Sequence, residues 1–342
     1  KNSLSEKLID KQKLFIVQKK SKFDLTTIPR LSLMLRKLKI DIVHAFLLDA
    51  EIITRLAGFM ARTEIIIGSE RNCYHEWKPM QYIAQKCTLP LVSAIIANSN
   101  AGKQFHMQSL GAPEKKMYVL YNGVDIERFR PGVEIPAYLS KLKTENVFLV
   151  GMVAKYKKQK RYEDFLSLAK MLVSSGKTPR FRFVLVGDVL MNNQQGSSEY
   201  FNNIMKLCDT LGLRQYCEFL DPLQDIQQVY NLCDVIVLPS SREGVPNVLL
   251  EAMACGKPVV ATNIADNKLI VKDSQTGFIV ELKAVTEMYE KIMQLASNNT
   301  LRQKMGRNGR EWIVNNFSTA KMIAKLTDIY MELLNKKKIN PS

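Results

Sequence analysis

The feature that most restricts this chain is an alternation. Short, β-branched apolar runs alternate with amphipathic runs of helical period along most of its length. The first series predicts strands at residues 14–18, 40–46, 64–69, 94–99 and 117–121, with helices at 26–38, 50–61 and 79–88. An apolar run with no polar alternation has no solvated face, and an intervening helix supplies the crossover that parallel pairing needs. The pattern therefore predicts an α/β chain with parallel sheets covered on both faces.

After Tyr121 the alternation stops. Asn122-Gly123-Val124-Asp125 is turn chemistry, and the irregular stretch to about Glu145 carries Pro131, Gly132 and Pro136. That is where a domain boundary belongs. A second series follows, with strands at 147–153, 181–186, 217–220, 235–239 and 258–262. Its first helix carries Phe165, Leu168, Ala169 and Leu172 at helical spacing. From Leu301 to Lys338 the chain reads as largely helical and ends in a run of three lysines. The expected division is a first domain at 1–145, a second at 146–315, and a helical tail at 316–342 that is a candidate to pack back on the first domain. Two Rossmann-like domains in tandem put ligands beyond the C-terminal ends of their strands, in a cleft between them.

Composition narrows the partners. Lys plus Arg number 49 against 33 acidic residues, a formal balance of +16. Such a charge favours anions of some kind: nucleic acid, acidic lipid headgroups or phosphorylated small molecules. Nucleic acid is disfavoured, because neither an aromatic RNP-type motif nor a recognition-helix signature is visible. No GxGxxG follows a strand, which disfavours a dehydrogenase. The six cysteines (Cys73, Cys87, Cys208, Cys217, Cys233 and Cys255) form no CxxC pair, and His44, His75 and His106 form no HExxH. Metal is therefore not expected, and scattered cysteines in a chain of this size read as reduced and cytoplasmic. The longest apolar stretch, 89–97, is far short of the roughly 20 residues that cross a bilayer. No charged-then-apolar leader opens the chain, and a start at Lys1 rather than Met reads as a fragment.

The most informative segment is LPSSREGVPNVLLEAMACGKPVVAT, residues 238–262. A buried strand ends there, a polar loop carries Glu243, and a helix starting near Asn247 carries Glu251, with seven residues between the two acids. Gly244 permits close backbone approach, and the N–H groups from about Pro246 onward form an anion-attracting helix start. Two carboxylates flanking such a start can grip hydroxyl groups at two places; the same spacing also suits an ordinary strand–loop–helix with solvated acids. The loop at 151–161, GMVAKYKKQKR, adds five basic residues within seven positions, among them Lys155 and Lys160.

Residues 243–262 closely resemble the E-x7-E signature of the large retaining glycosyltransferase family 4. NGVD (122–125), VLVGD (184–188), CDVIVLPS (233–240) and TGFIV (276–280) are similar to further family segments in the family's order, so that the resemblance spans essentially the whole chain. It implies a GT-B fold, a UDP- or GDP-linked sugar as co-substrate, no cofactor and no obligatory metal. Glu243 would lie beside the donor sugar and Glu251 would bind the ribose hydroxyls. The N–H groups of Gly244, Val245, Asn247 and Val248, with Pro246 between them, would approach the phosphate and sugar. Lys155 and Lys160 would hold the leaving diphosphate. Members commonly carry Arg at the first of these positions, so Lys155 departs from the pattern, keeping the charge without the bidentate fork.

On the acceptor side the resemblance suggests His44, at the end of the strand in DIVHAF, with Glu70 and Arg71 after the next strand; the histidine many relatives carry near that point is missing. Relatives also begin with a strand and a glycine-rich loop. None precedes Leu14, so a unit of about 30 residues is expected upstream. The expected activity is transfer of a hexose or N-acetylhexosamine to an acceptor hydroxyl, with retention, in cell-surface polysaccharide or glycolipid synthesis. The acceptor would be a glycan or a lipid-linked sugar. The alternatives are a nucleotide-sugar epimerase of the same fold and, from another class, a basic nucleic-acid-binding protein. Residues 28–40 (IPRLSLMLRKLKI) form a basic amphipathic stretch and a candidate for peripheral contact with the inner face of an anionic membrane; a core-facing helix with a solvated edge reads the same.

Overall fold

The structure, a computed structural model, describes residues 14–19, 21, 24–71, 77–188 and 197–339. The first unit runs α1 (Thr27–Lys37), β1 (Ile42–Phe46), α2 (Leu48–Ala61), β2 (Ile65–Glu70), α3 (Pro79–Thr88), β3 (Ala94–Ala97), α4 (Asn100–Leu110) and β4 (Met117–Val119). A short helix α5 (Ala137–Ser140) interrupts the connecting segment. The second unit runs β5 (Val147–Val153), α6 (Tyr162–Ser174), β6 (Arg180–Val186), α7 (Ser197–Thr210), β7 (Cys217–Leu220), α8 (Gln227–Leu232) and β8 (Val235–Leu238). It continues through α9 (Asn247–Ala254), β9 (Val259–Thr262), α10 (Asn267–Ile270), β10 (Gly277–Val280) and α11 (Val285–Ser297). Helices α12 (Asn299–Asn316) and α13 (Thr319–Ile339) close the described chain.

Both sheets are parallel throughout. The first has the order β1-β2-β3-β4 and the second β10-β9-β8-β5-β6-β7. The apolar runs explain this arrangement: β2, β8 and β9 are buried at every position, as strands covered on both faces must be. Strand alternation then divides each strand between two cores. Phe148, Val150 and Met152 pack into one cluster with Phe165 and Leu185, while Leu149, Val184 and Ile236 pack into the other with Leu249 and Met253.

The tail turns at Phe317–Ser318, where Val124 N–H donates to the Phe317 carbonyl (2.8 Å) and Thr319 N–H donates to the Val124 carbonyl (3.0 Å). Beyond that crossing, α13 lies on the first sheet, with Ile329 and Leu333 among Ile65, Ile67, Ala94 and Ile96.

Two expectations change. Residues 14–18 form no strand: Leu14, Phe15 and Ile16 are exposed and no described strand pairs with them. An apolar pentad becomes a strand only beside a partner, which local pattern does not report. Conversely β10 is a strand that alternation missed, because four residues after a tight turn carry almost no periodic signal.

Gly151 sits where β5 meets β8, and a Cβ there would lie 2.6 Å from both Cys233 Sγ and Ile236 Cδ1. Gly151→Ala is therefore expected to destabilise the second unit by about 1–3 kcal/mol through overpacking. An unchanged urea midpoint would show that this contact is not tight.

Candidate functional site

Seven parallel strands send their following loops to one place. Arg71, Asn98 and Asn122 follow β2, β3 and β4; Lys155, Gly187, Pro222 and Glu243 follow β5, β6, β7 and β8. Together they line a cleft of about 640 Å³ between the two sheets. Strand C-termini collect the loops of such sheets at one edge, and the cleft is where two such edges meet.

The second unit supplies one wall. After β5 the chain makes a single 3₁₀ turn (Lys158–Lys160) that carries Lys160 inward, while Lys155 stays exposed at the rim. Lys160 Nζ pairs with Glu243 Oε1 at 2.5 Å, both side chains largely buried. Ser241 N–H donates to the Gln159 carbonyl (2.8 Å), which ties the lysine loop to the glutamate loop. Gly244, Val245, Pro246, Asn247 and Val248 continue the wall into α9, whose start no side chain caps. An uncapped helix start leaves N–H groups and the positive end of the dipole to whatever enters the cleft.

Glu251 stands four residues into α9 and also faces the cleft. Burial pushes its carboxyl above the usual carboxylate range, opposed by the Tyr230 hydroxyl, which donates to Oε2 at 2.7 Å, and by the Arg128 charge. The same wall carries apolar side chains from Val153, Val186, Pro222, Leu223 and Ile226. The wall thus combines cations, helix-start amides, a hydrogen-bonded carboxylate and an apolar surface.

The first unit closes the cleft with amides and one guanidinium. Arg71 donates to Asn122 Oδ1 (2.7 Å), and Asn122 Nδ2 donates to Asn247 Oδ1 across the cleft (2.7 Å). Asn98 Nδ2 donates to the Arg71 carbonyl (3.1 Å), and a Cβ on Gly244 would lie 3.0 Å from Asn98 Oδ1. The glycine therefore admits the opposite domain as well as any ligand. Asn98 and Asn122 are cleft residues that the sequence reading missed as site residues; their signal was position, directly after apolar runs in ANSN and YNGVD.

Two acceptor-side candidates lie elsewhere. His44 is mid-strand rather than at the strand end and does not line the cleft: its ring nitrogens lie 2.7 Å from Tyr330 Oη and 2.6 Å from Ser69 Oγ. Glu70 is buried, with Oε2 2.9 Å from His106 Nδ1, and is likewise outside the lining. The strand runs on to Phe46, so His44 lies within the sheet beside Ser69 of the neighbouring strand and not in the loop that follows. Asn72, Cys73 and His75 lie outside the described residues. Among the described residues no group of three His, Cys, Asp or Glu side chains is arranged to hold a metal ion, and no helix is long and apolar enough to cross a membrane.

Comparison with known proteins agrees with this architecture. A sequence model of glycosyl transferases group 1 matches residues 137–312, and one of glycosyltransferase family 4 matches residues 6–128. The chain is 29% identical over 325 residues, 91% of this chain and 80% of the relative, to UDP-Gal:alpha-D-GlcNAc-diphosphoundecaprenol alpha-1,3-galactosyltransferase of Escherichia coli. It is 28% identical over 321 residues, 91% of this chain and 82% of the relative, to the capsular polysaccharide biosynthesis glycosyltransferase CapM of Staphylococcus aureus. Among solved structures, Anabaena Alr3699/HepE in complex with UDP superposes with a TM-score of 0.78 at 22% identity, covering 90% of this chain and 82% of that one. A glycosyltransferase from Rickettsia africae gives 0.82 at 23% identity, covering 98% and 88%. These structural likenesses show the GT-B fold.

The His44 environment makes stability depend on pH. Burial, with the Arg71 charge, holds its imidazole down at about 4, below the ordinary 6.5. The unfolded chain therefore takes up the proton first, and the contribution present above about 6.5 is lost as pH falls toward 4. His44→Gln should flatten the fall in melting temperature between pH 7.5 and 4.5. An identical fall in both proteins would contradict this environment.

Proposed function

This chain belongs to the glycosyl transferases group 1 family, and we propose that it moves a hexose or N-acetylhexosamine from a UDP- or GDP-linked donor to an acceptor hydroxyl, with retention. The observation that carries the reading is the Lys160–Glu243 pair beside the uncapped start of α9, with Glu251 four residues further on. In this reading the diphosphate lies against Lys155, Lys160 and the amides of Gly244 to Val248, and the ribose hydroxyls meet Glu251. The apolar stretch at Pro222, Leu223 and Ile226 suits the face of a base. We assign donor binding to residues 146–315 and acceptor contact to the first domain, where Arg71 is the candidate that reaches the cleft.

The chemistry follows from charge. Cleaving a glycosyl–phosphate bond builds negative charge on the leaving diphosphate and positive character on the sugar. Preorganised cations and amides stabilise the first, and a carboxylate beside the sugar stabilises the second. The leaving phosphate then takes the acceptor's proton on the face it vacates, which retains configuration and needs no covalent sugar–enzyme bond. Lys160 and the helix start supply the charge that a metal would otherwise carry, so turnover is expected to survive EDTA.

The relatives' names point to the setting: one acts on a diphosphoundecaprenol-linked sugar and another belongs to capsular polysaccharide synthesis. We place this chain in cell-surface polysaccharide or glycolipid synthesis, with a lipid-linked or glycan acceptor and peripheral contact on the inner membrane face. On α1, Leu35 turns inward while Leu33 and Leu38 are exposed beside Lys37 and Lys39. Phe59 and Met60 at the end of α2 are also exposed. Co-sedimentation with anionic vesicles should fall for a Leu33→Glu, Leu38→Glu double variant; equal binding, or none by the parent chain, removes this surface.

Glu243→Gln should leave the fold intact and lower turnover by about a hundredfold to a thousandfold, the usual effect of removing one preorganised charge-stabilising group. Release of UDP and GDP from a panel of nucleotide sugars, with product analysis of the sugar, reads this directly. Near-normal turnover by the variant would refute the donor-side assignment, and an epimerised free donor as product would favour the epimerase.

A further inference from the structure

Asp266, in the loop between β9 and α10, is only 5% exposed although it belongs to a surface loop of the second unit. What covers it is the first unit. Asn100 N–H donates to its Oδ2 at 2.6 Å, Ala101 N–H to its Oδ1 at 3.2 Å, and the Tyr121 hydroxyl to Oδ2 at 2.9 Å. Asn100 Nδ2 in turn donates to the Tyr121 oxygen at 2.7 Å. All three donors come from the other side of the cleft, from the start of α4 and from the chain just after β4.

Helix capping shows how complete this contact is. The first N–H groups of an α-helix have no partner inside the helix. In α4, the Ser99 carbonyl accepts the first bond of the helix, from Lys103 N–H, and Ser99 Oγ accepts from the otherwise partnerless Gly102 N–H, both at 3.0 Å. The N–H groups of Asn100 and Ala101, which no residue of the helix can serve, are taken by the carboxylate of the other domain. A negative charge at a helix start also meets the positive end of the dipole, and charge-assisted hydrogen bonds are the stronger kind.

We propose that Asp266 is a positioning residue for sugar transfer: by capping α4 across the cleft it holds the two domains in the closed arrangement that sets Arg71, Asn98 and Asn122 over the start of α9. The proposal rests on the cleft being the donor site. Asp266 does not line the cleft and touches none of the groups assigned to the donor. Its action is on the distance between the walls. If the domains part, the carboxylate and two helix amides exchange one another for water, and the Arg71–Asn122–Asn247 bridge breaks with them. Donor binding uses mainly the second-unit wall, so it survives that parting, whereas transfer needs both walls.

The isosteric variant Asp266→Asn separates these effects, because its amide group carries no charge and one of its two polar atoms presents N–H groups to the N–H groups of Asn100 and Ala101. Small-angle scattering of the free chain should show a larger radius of gyration for the variant. The ratio of closed to open molecules should drop by about tenfold, within the usual range of coupling between sites. Turnover at saturating donor should fall by a similar factor, while the dissociation constant for UDP or GDP, measured by calorimetry, stays within about threefold. Tyr121→Phe, which removes one of the three bonds to Asp266 and the bond from Asn100 Nδ2 but leaves both helix amides on the carboxylate, should shift both quantities in the same direction by less, and it serves alone if Asp266→Asn does not fold. Unchanged scattering and turnover in the folded variants would overturn the proposal. So would a parallel loss of nucleotide affinity and turnover, since that places Asp266 in donor binding. A parent chain that binds neither UDP nor GDP would refute the donor reading, and the scattering comparison would still decide whether Asp266 holds the domains together.

Discussion

The structure depends on one constraint: a parallel sheet covered by helices on both faces has nowhere to do chemistry except at its edges and ends. Every strand of β5 to β10 is packed between two apolar clusters, so the polar groups of the second unit gather in the loops that leave the strand C-termini. The same holds for the first unit, and the chain sets the two C-terminal edges against each other. Burial on the faces and chemistry at the ends are thus two consequences of one arrangement.

Inside the cleft, charge is held ready without being spread. Lys160 is paired with Glu243, which keeps both groups from being buried alone, at a site where an isolated charge would cost several kcal/mol. Glu251 is held by the Tyr230 hydroxyl against a burial that favours its neutral form. Under the proposed donor assignment, a diphosphate would compete with Glu243 for Lys160, and a ribose hydroxyl would compete with Tyr230 for Glu251. Both exchanges swap one hydrogen bond for another, so binding need not leave a buried group unpartnered.

Local pattern carried the fold because the strands are long enough and apolar enough to be read singly. It failed where structure depends on a distant partner. Residues 14–18 look like a strand and pair with nothing described, while β10 looks like a loop and pairs with β9. For the candidate site, the second-unit wall was legible because its residues are contiguous in sequence, from Glu243 to Glu251, with Lys155 and Lys160 in a single loop. The opposite wall was legible only at Arg71. His44 and Glu70 pack against Tyr330, Ser69 and His106 outside the cleft, whereas Asn98 and Asn122 reach it as uncharged side chains just after β3 and β4. Asp266 was invisible because its partners, Asn100 and Tyr121, are more than a hundred residues away.

The most direct test is a crystal structure of the chain grown with UDP and, in parallel, with GDP. The account predicts the diphosphate within hydrogen-bond reach of Lys160 and of the amides at the start of α9, with the ribose hydroxyls on Glu251. A nucleotide bound elsewhere, for instance in the lysine-lined groove between β4 and α13 at Lys116 and Lys336, would contradict it.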